Sequence, residues 1–444
     1  MKSFSIRPTS GVRGIVILPG DKSIAHRALI LSAIARGSTR INNFPANLDC
    51  LCTLEALKKL GIRISKVRRF RGSFGIKVFG RGLSGLKKPL KPIFLGESGT
   101  SFRLLCGLLS GYDFRVRLEA GVFLSRRPMR RISLPLRMMG AKIIARRLLP
   151  EEYPPFTVKG GILKGITYKL PVASAQVKSA IILAGLHARG VTRVIEPIRT
   201  RDHTERMLKL FQANIKTKEN IVTIKGLKEL VSPGIIDIPG DISSAAFFII
   251  LTAILPGSGL LIKNVSLNPL RTGVLRVLKR MRADIKIIRS FSRRNAKVEP
   301  AGDIAVKSSL LKATLVKKEE IPSLIDELPV LMVAASLARG RTIFEGVGEL
   351  RVKETDRINS MLKNLKRMGA QIKIVKKKGL EHIVIDGVKE LRGSRVKSFG
   401  DHRSAMSMLV AGMAARGETR IADVACIRKS FPDFIDKLTS IIRS

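Results

Sequence analysis

Aromatic side chains are scarce in this chain: no tryptophan, three tyrosines and eighteen phenylalanines in 444 residues. Stacking platforms for single-stranded nucleic acid are correspondingly few. Acidic residues are also short, 34 against 82 Lys plus Arg, for a formal net charge of +48. Such a charge attracts polyanions non-specifically and in a salt-dependent way, whatever the fold. The cations are spread along the whole sequence rather than gathered in a stripe, so a site for highly anionic small molecules is preferred. A basic nucleic-acid-binding scaffold without catalysis is the alternative of another class. The four cysteines (Cys50, Cys52, Cys106, Cys426) form neither a C-x-x-C pair nor a dense disulfide framework. None of the five histidines shows metal-ligand spacing, and no metal or other cofactor is expected. The longest apolar run, 245–255 with one Thr, is too short to cross a bilayer. The N-terminus enters the alternating Ser3-Phe-Ser-Ile-Arg7 with no apolar signal core, so the expected location is the cytoplasm.

What is present is organised around Leu18-Pro-Gly-Asp-Lys-Ser-Ile-Ala-His-Arg27, which runs into an apolar stretch. A Gly-Asp turn feeding a helix that carries Lys22, Ser23 and Arg27 near its start reads as a phosphate cradle. Ile238-Pro-Gly-Asp-Ile-Ser-Ser-Ala-Ala-Phe-Phe248 repeats it in the second half, and Phe399-Gly-Asp-His-Arg-Ser-Ala-Met406 echoes it. Two patterns alternate along the chain. In the first, an apolar helix ends at a C′-type glycine (Gly37, Gly111, Gly190, Gly257, Gly340, Gly417) and a strand follows. In the second, a basic amphipathic helix closes in Leu/Met-Gly before a short strand, as at Gly61, Gly140 and Gly369. Degenerate copies of the second lie at 208–215 and 278–285, and a sixth near the C-terminus is only a helix.

Six such units and two Pro-Gly-Asp starts predict an α/β fold of two domains with three repeats each. The expected boundaries are 20–238 for one domain and 1–19 plus 239–444 for the other, with hinges near 19–20 and 239–240. An α/β solenoid is the competing architecture. Every apolar helix is entered through a polar cluster, and six aligned N-termini would converge on one cleft. Capping accounts for the Ser, Thr and Asp residues there. It does not account for Lys22, Arg27, Arg103, Lys178 and Arg403, cations in early turns that call for a compensating anion. Ser125-Arg-Arg-Pro-Met-Arg-Arg131 reads as an arginine-rich loop, and Glu349–Arg357 packs three cations and three carboxylates ahead of a helix expected at 358–368. Arginine suits two-pronged recognition of carboxylate and phosphate.

Pro19-Gly-Asp-Lys-Ser23, Arg127-Pro-Met129, Ser174-Ala-Gln-Val-Lys-Ser179 and Arg201-Asp-His-Thr-Glu205 resemble motifs of the 5-enolpyruvylshikimate-3-phosphate synthase family. So do Pro239-Gly-Asp-Ile-Ser-Ser-Ala-Ala246, Leu350-Arg-Val-Lys-Glu-Thr-Asp-Arg357 and Asp401-His-Arg403, in order over essentially the whole chain. The Ser-Ala-Gln and Arg-Asp-His-Thr-Glu forms are more similar to the second class of that family. The resemblance implies a two-domain inside-out α/β barrel with three repeated units per domain, acting as a monomer without cofactor. It implies transfer of the enolpyruvyl group of phosphoenolpyruvate to the 5-hydroxyl of shikimate 3-phosphate, with release of phosphate. By motif match, Lys22, Ser23, Arg27, Ser174, Ala175, Gln176, Arg201, Asp326 and Lys353 would hold shikimate 3-phosphate. Lys22, Gly99, Arg127, Gln176, Arg357, Arg403 and Lys429 would hold phosphoenolpyruvate. Asp326, Glu354 and Lys22 would handle the protons.

Two positions depart from the pattern: Glu97 and Glu349 stand where Asn is common, and Glu97 would put a negative charge beside the phosphoenolpyruvate loop. Gly99 leaves room that an Ala would fill, which implies inhibition by glyphosate. The sister transferase acting on UDP-N-acetylglucosamine is the nearest rival. Its loop cysteine has no counterpart in Gly121-Val-Phe-Leu-Ser-Arg-Arg-Pro128.

Overall fold

The computed structural model describes residues 3–70, 73–289, 299–377 and 379–442. It is a mixed α/β structure. Contacts divide the described chain into two units: residues 19–238 with Glu299, and residues 3–18, 239–289 and 300–442. They are called the first and the second unit below.

In the first unit the helices are α1 (Lys22–Ala33), α2 (Leu48–Lys59), α3 (Gly99–Leu109), α4 (Arg130–Met138), α5 (Ala175–Gly185) and α6 (His203–Leu210). The second unit holds α7 (Ile242–Ile254), α8 (Gly273–Arg280), α9 (Leu328–Ser336), α10 (Arg357–Arg367), α11 (His402–Met413) and α12 (Phe434–Thr439). Odd-numbered helices are apolar on nearly all sides and lie inside: every residue of α7 from Ile242 to Ala253 is buried. Even-numbered helices bury one face only. Each unit has its own hydrophobic core, the first joined by the edge-on pair Phe102–Phe156 and the second by a cluster of Phe247, Phe248, Phe431 and Phe434.

The first unit has three four-stranded sheets of one design among its described residues. In each, a central strand (Ser38–Asn42, Arg115–Glu119 or Val191–Ile195) pairs in parallel on one side and with a hairpin on the other. The strand Ile235–Asp237 pairs with Ser38–Asn42, so the last segment of this unit closes onto its first sheet. The second unit has two such sheets and one three-stranded sheet in which Ser3–Ile6 pairs antiparallel to Thr419–Ala422. The N-terminal strand there occupies the antiparallel position that a hairpin strand fills in the other sheets.

The three Leu/Met-Gly segments and the two degenerate copies end their helices in the same double turn. The amide of Gly61 donates to Lys58 (2.9 Å) and that of Ile62 to Leu57 (3.0 Å), a pair of bonds that satisfies the last carbonyls. Gly140, Gln212, Arg282 and Gly369 do the same, all with positive φ. At Gln212 (φ 61°) and Arg282 (φ 67°) a side chain tolerates the left-handed backbone, at a cost of about 1–2 kcal/mol each.

Of the glycines after the apolar helices, Gly111 sits directly after the α3 cap Ser110, but those that follow Ala-Arg do not end their helices. α1 stops at Ile34, and Ala35–Arg36 then forms a two-residue strand parallel to Leu230–Val231 before Gly37 turns (φ 93°) into Ser38–Asn42. Ala188–Arg189 before Gly190 and Ala415–Arg416 before Gly417 repeat this. The Ala-Arg pair finds a strand partner far along the chain, and that pairing outweighs helix propagation. The arginine-rich segment 125–131 is likewise not a loop throughout: Leu124–Arg126 is a 3₁₀ turn and Arg130 already begins α4.

Candidate active site

Five of the six interior helices start from a side-chain cap: Asp21, Ser98, Ser174, Asp241 and Asp401. Asp21 accepts from the amide of Ile24 (3.0 Å), and Asp241 in the second Pro-Gly-Asp copy accepts from Ser243 (2.8 Å). Such caps fix where the first-turn side chains project.

In the first unit, Lys22 pairs with Asp49 at 2.9 Å, the two side chains 18% and 14% exposed. Arg27 is buried, and each of its nitrogens is engaged: Nε donates to Thr204 (2.6 Å), one Nη to the Ser23 carbonyl (2.9 Å) and the other to Ser179 (2.7 Å). Burial brings the Arg27 guanidinium down to about 10, against the pull of the Glu205 carboxylate and with the like charge of Arg201 adding to the fall. Gln176 on α5 accepts from Arg103 (2.7 Å) and donates to Thr100 (2.8 Å), while Arg103 also donates to the Gly99 carbonyl (3.1 Å). A Cβ at Gly99 would lie 2.6 Å from Nη1 of Arg103 and 3.2 Å from Nη1 of Arg127. Gly99, Arg103, Arg127 and Gln176 therefore form one cluster. Ser174 caps α5 next to Ala175, and half-buried Arg201 precedes α6.

A buried chain of polar side chains links α1, α2 and the start of α3. His26 Nδ1 lies 2.7 Å from Thr53, Thr53 2.7 Å from Ser101, and Ser101 2.6 Å from the cap Ser98. Burial, then the charges of Lys22 and Arg27, holds the His26 imidazole well below its ordinary value, so it is neutral.

In the second unit, Arg357 is the hub. Its Nε donates to Asp401 (2.7 Å), Nη1 to Asp326 (3.3 Å) and Nη2 to Glu354. Burial alone would lower its pKa, but the three carboxylates win and raise it. Asp401 has two duties, since its other oxygen caps α11 through the amide of Arg403 (2.7 Å). Arg403 donates to the main-chain oxygen of Asp326 (2.8 Å). Asp326, Glu354, Arg357 and Arg403 are thus brought together. Lys353 is half-buried beside Glu354, and Lys429 lies half-buried in the 3₁₀ helix Val424–Lys429. Arg351 in the same motif is structural, joining Glu381 (2.7 and 2.8 Å) to the α10 cap Asp356 (2.6 Å).

Sequence reasoning missed Arg271. Only 2% exposed, it donates to Ser243 (2.6 Å) and lies 3.6 Å from Glu327 and 3.8 Å from Asp326. The only signal was a lone arginine in the turn Asn268-Pro-Leu-Arg-Thr-Gly273. Lys178 needs correcting. Its compensating anions are internal: Glu196 at 2.9 Å and Glu205 at 2.7 Å, all three buried. Burial, against the pull of Lys178, holds the Glu205 carboxyl above its ordinary value. This knot also binds Thr200 and so anchors the segment carrying Arg201. The four thiols are free and burial raises all of them, Cys52 and Cys426 to about 11 and Cys106 to about 12. None is a thiolate nucleophile at neutral pH. Among the described residues no three His, Cys, Asp or Glu side chains cluster as metal ligands, and no helix is long and apolar enough to cross a membrane.

The arrangement offers guanidinium groups for phosphate and carboxylate, and three carboxylates on one guanidinium, of which Asp326 and Glu354 are not spent on capping a helix and could move protons. Comparison with known proteins agrees with that chemistry. A family profile described as EPSP synthase (3-phosphoshikimate 1-carboxyvinyltransferase) matches residues 6–438. The 3-phosphoshikimate 1-carboxyvinyltransferase of Citrifermentans bemidjiense is 46% identical over 443 residues, covering 100% of both chains. That of Bacillus cytotoxicus is 40% identical, covering 98% of this chain and 100% of its own. The solved EPSP synthase of Acinetobacter baumannii superimposes with a TM-score of 0.85 at 41% identity, over 99% of this chain and 98% of that one.

Proposed function

The chain belongs to the EPSP synthase family and has its 3-phosphoshikimate 1-carboxyvinyltransferase activity in the shikimate pathway, and we propose the following division of labour among its residues. Lys22, Ser23, Arg27, Ser174, Ala175, Gln176, Arg201, Asp326 and Lys353 hold shikimate 3-phosphate. Lys22, Gly99, Arg127, Gln176, Arg357, Arg403 and Lys429 hold phosphoenolpyruvate. Asp326 takes the proton of the 5-hydroxyl as its oxygen attacks the substituted carbon of phosphoenolpyruvate, and Glu354 delivers a proton to the methylene carbon. In the tetrahedral adduct Glu354, now a carboxylate, takes a methyl proton back as the C–O bond to phosphate breaks, restoring the double bond, and the proton held by Asp326 leaves with the phosphate. Lys22 offsets the charge that builds on oxygen.

The observation that carries this reading is Arg357, held at once by Asp326, Glu354 and Asp401. A phosphate dianion competes for that guanidinium. Once it does so, Glu354 loses its counter-cation and its proton affinity rises. Substrate binding thereby arms the acid. Phosphate release from phosphoenolpyruvate tests the function: release is expected with shikimate 3-phosphate and not with UDP-N-acetylglucosamine. No turnover with either would favour the non-catalytic scaffold.

We read the repeated sheets as the inside-out α/β barrel, three units to a domain, with hinges at 19–20 and 239–240. The Ser174-Ala-Gln176 and Arg201–Glu205 motifs support the second class. A monomer in the cytoplasm completes the proposal; the four free cysteines suit a reducing compartment. Light scattering at assay concentration checks the monomer.

Gly99 supports sensitivity to glyphosate, because the space a methyl would take is bounded by Arg103 and Arg127. Glyphosate is expected to inhibit competitively with phosphoenolpyruvate, and Gly99→Ala to weaken both. Full activity at millimolar glyphosate with limiting phosphoenolpyruvate would refute this.

A further inference from the structure

Glu97 puts a negative charge beside the segment proposed to hold phosphoenolpyruvate. Its carboxylate is nevertheless engaged: one oxygen accepts from the amide of Phe123 (3.2 Å) and the other from that of Leu124 (2.7 Å). Leu124 opens the 3₁₀ turn Leu124–Arg126, and Arg127 closes it by donating its amide to the Leu124 carbonyl (3.0 Å). The amide of Gly121 donates to the Gly96 carbonyl at 2.7 Å. A Cβ at Gly121 would stand 2.3 Å from the Glu97 carboxylate. Only glycine admits the carboxylate there.

We propose that Glu97 is a positioning residue for phosphoenolpyruvate: it staples the Arg127 turn to the Gly96–Gly99 segment that starts α3. A carboxylate suits this geometry, because each amide has an oxygen of its own. Asparagine or glutamine offers one acceptor oxygen, and its NH₂ would face the second amide N–H. Two peptide N–H groups at the positive start of a turn also absorb the negative charge, so the anion meets Arg127 rather than Glu97. The inference rests on Arg127 being a phosphoenolpyruvate ligand.

Steady-state kinetics of Glu97→Gln, Gly121→Ala and Arg127→Ala test both levels. Glu97→Gln is expected to raise KM for phosphoenolpyruvate and Ki for glyphosate about tenfold, the scale of one charged hydrogen bond. KM for shikimate 3-phosphate, kcat and Tm should stay near the parent values. Gly121→Ala should act in the same direction, and the double variant should be no worse than Gly121→Ala alone. An unchanged or lowered KM for phosphoenolpyruvate in Glu97→Gln, with Arg127→Ala impaired, would overturn the inference alone and mean that the carboxylate faces the substrate. If Arg127→Ala also leaves that KM untouched, the ligand assignment itself falls and the inference with it.

Discussion

Replacing Asp326 by Asn is expected to lower kcat by about 10²- to 10⁴-fold, the range for loss of a positioned base. The substitution keeps the shape of the side chain and removes its ability to take a proton. The arginines around it should survive, because Arg403 is held by the main-chain oxygen of Asp326 and Arg357 retains Asp401 and Glu354. Three guanidinium groups within 4 Å of a now neutral amide would, if anything, improve attraction for phosphoenolpyruvate, since Arg357, Arg403 and Arg271 lie 3.3, 3.7 and 3.8 Å from the carboxylate. The effect should therefore fall on kcat with KM for phosphoenolpyruvate held or lowered. Glu354→Gln is the matched control, because the amide cannot deliver a proton to carbon. A kcat within a few-fold of the parent for Asp326→Asn would take the base away from Asp326. Loss confined to Glu354→Gln would assign both proton transfers to Glu354.

The motifs proposed to form the site were legible because chemistry concentrates residue types at fixed local spacing. Asp21-Lys-Ser23, Ser174-Ala-Gln176 and Lys353-Glu-Thr-Asp-Arg357 each sit at a helix start, where capping and anion recognition leave their mark within a few residues. The helical repeats were legible for the same reason. What the sequence could not show was which distant residue answers each charge. Lys178 looks like Arg27 on paper, a cation early in an apolar helix. Packing gives Lys178 the carboxylates of Glu196 and Glu205 directly, while Arg27 donates to the hydroxyls of Thr204 and Ser179 and the carbonyl of Ser23. Arg271 carried no local pattern at all, since its partners Ser243, Asp326 and Glu327 lie on other segments. The Ala-Arg-Gly runs failed differently. Their helical composition is genuine, yet a two-residue strand partner such as Leu230–Val231 overrides it. Glu97 is the sharpest case, because its two amide partners lie beyond a whole helix and strand.

Arg357→Met should cost both fold and function. The guanidinium is 1% exposed and its partner Asp401 is completely buried, so removing the cation strands a carboxylate away from water. Breaking a buried pair in this way costs about 3–5 kcal/mol, which is about 6–20 °C in Tm at about 2–4 °C per kcal/mol for a unit of this size. The loss has a second route. Asp401 also caps α11 through Arg403, and an unpaired Asp401 that gains a proton is a weaker cap, so the helix start bearing Arg403 loosens too. Arg357→Lys separates the two effects. It restores a charge near Asp401 but cannot reach Asp326, Glu354 and Asp401 together, because an ammonium lacks the planar fork. Thermal melts should therefore recover in part with Arg357→Lys while kcat/KM for phosphoenolpyruvate remains depressed. If Arg357→Met melts like the parent, the buried pair contributes nothing net to stability. If Arg357→Lys restores full turnover, the guanidinium is not the switch between the acid Glu354 and the phosphate.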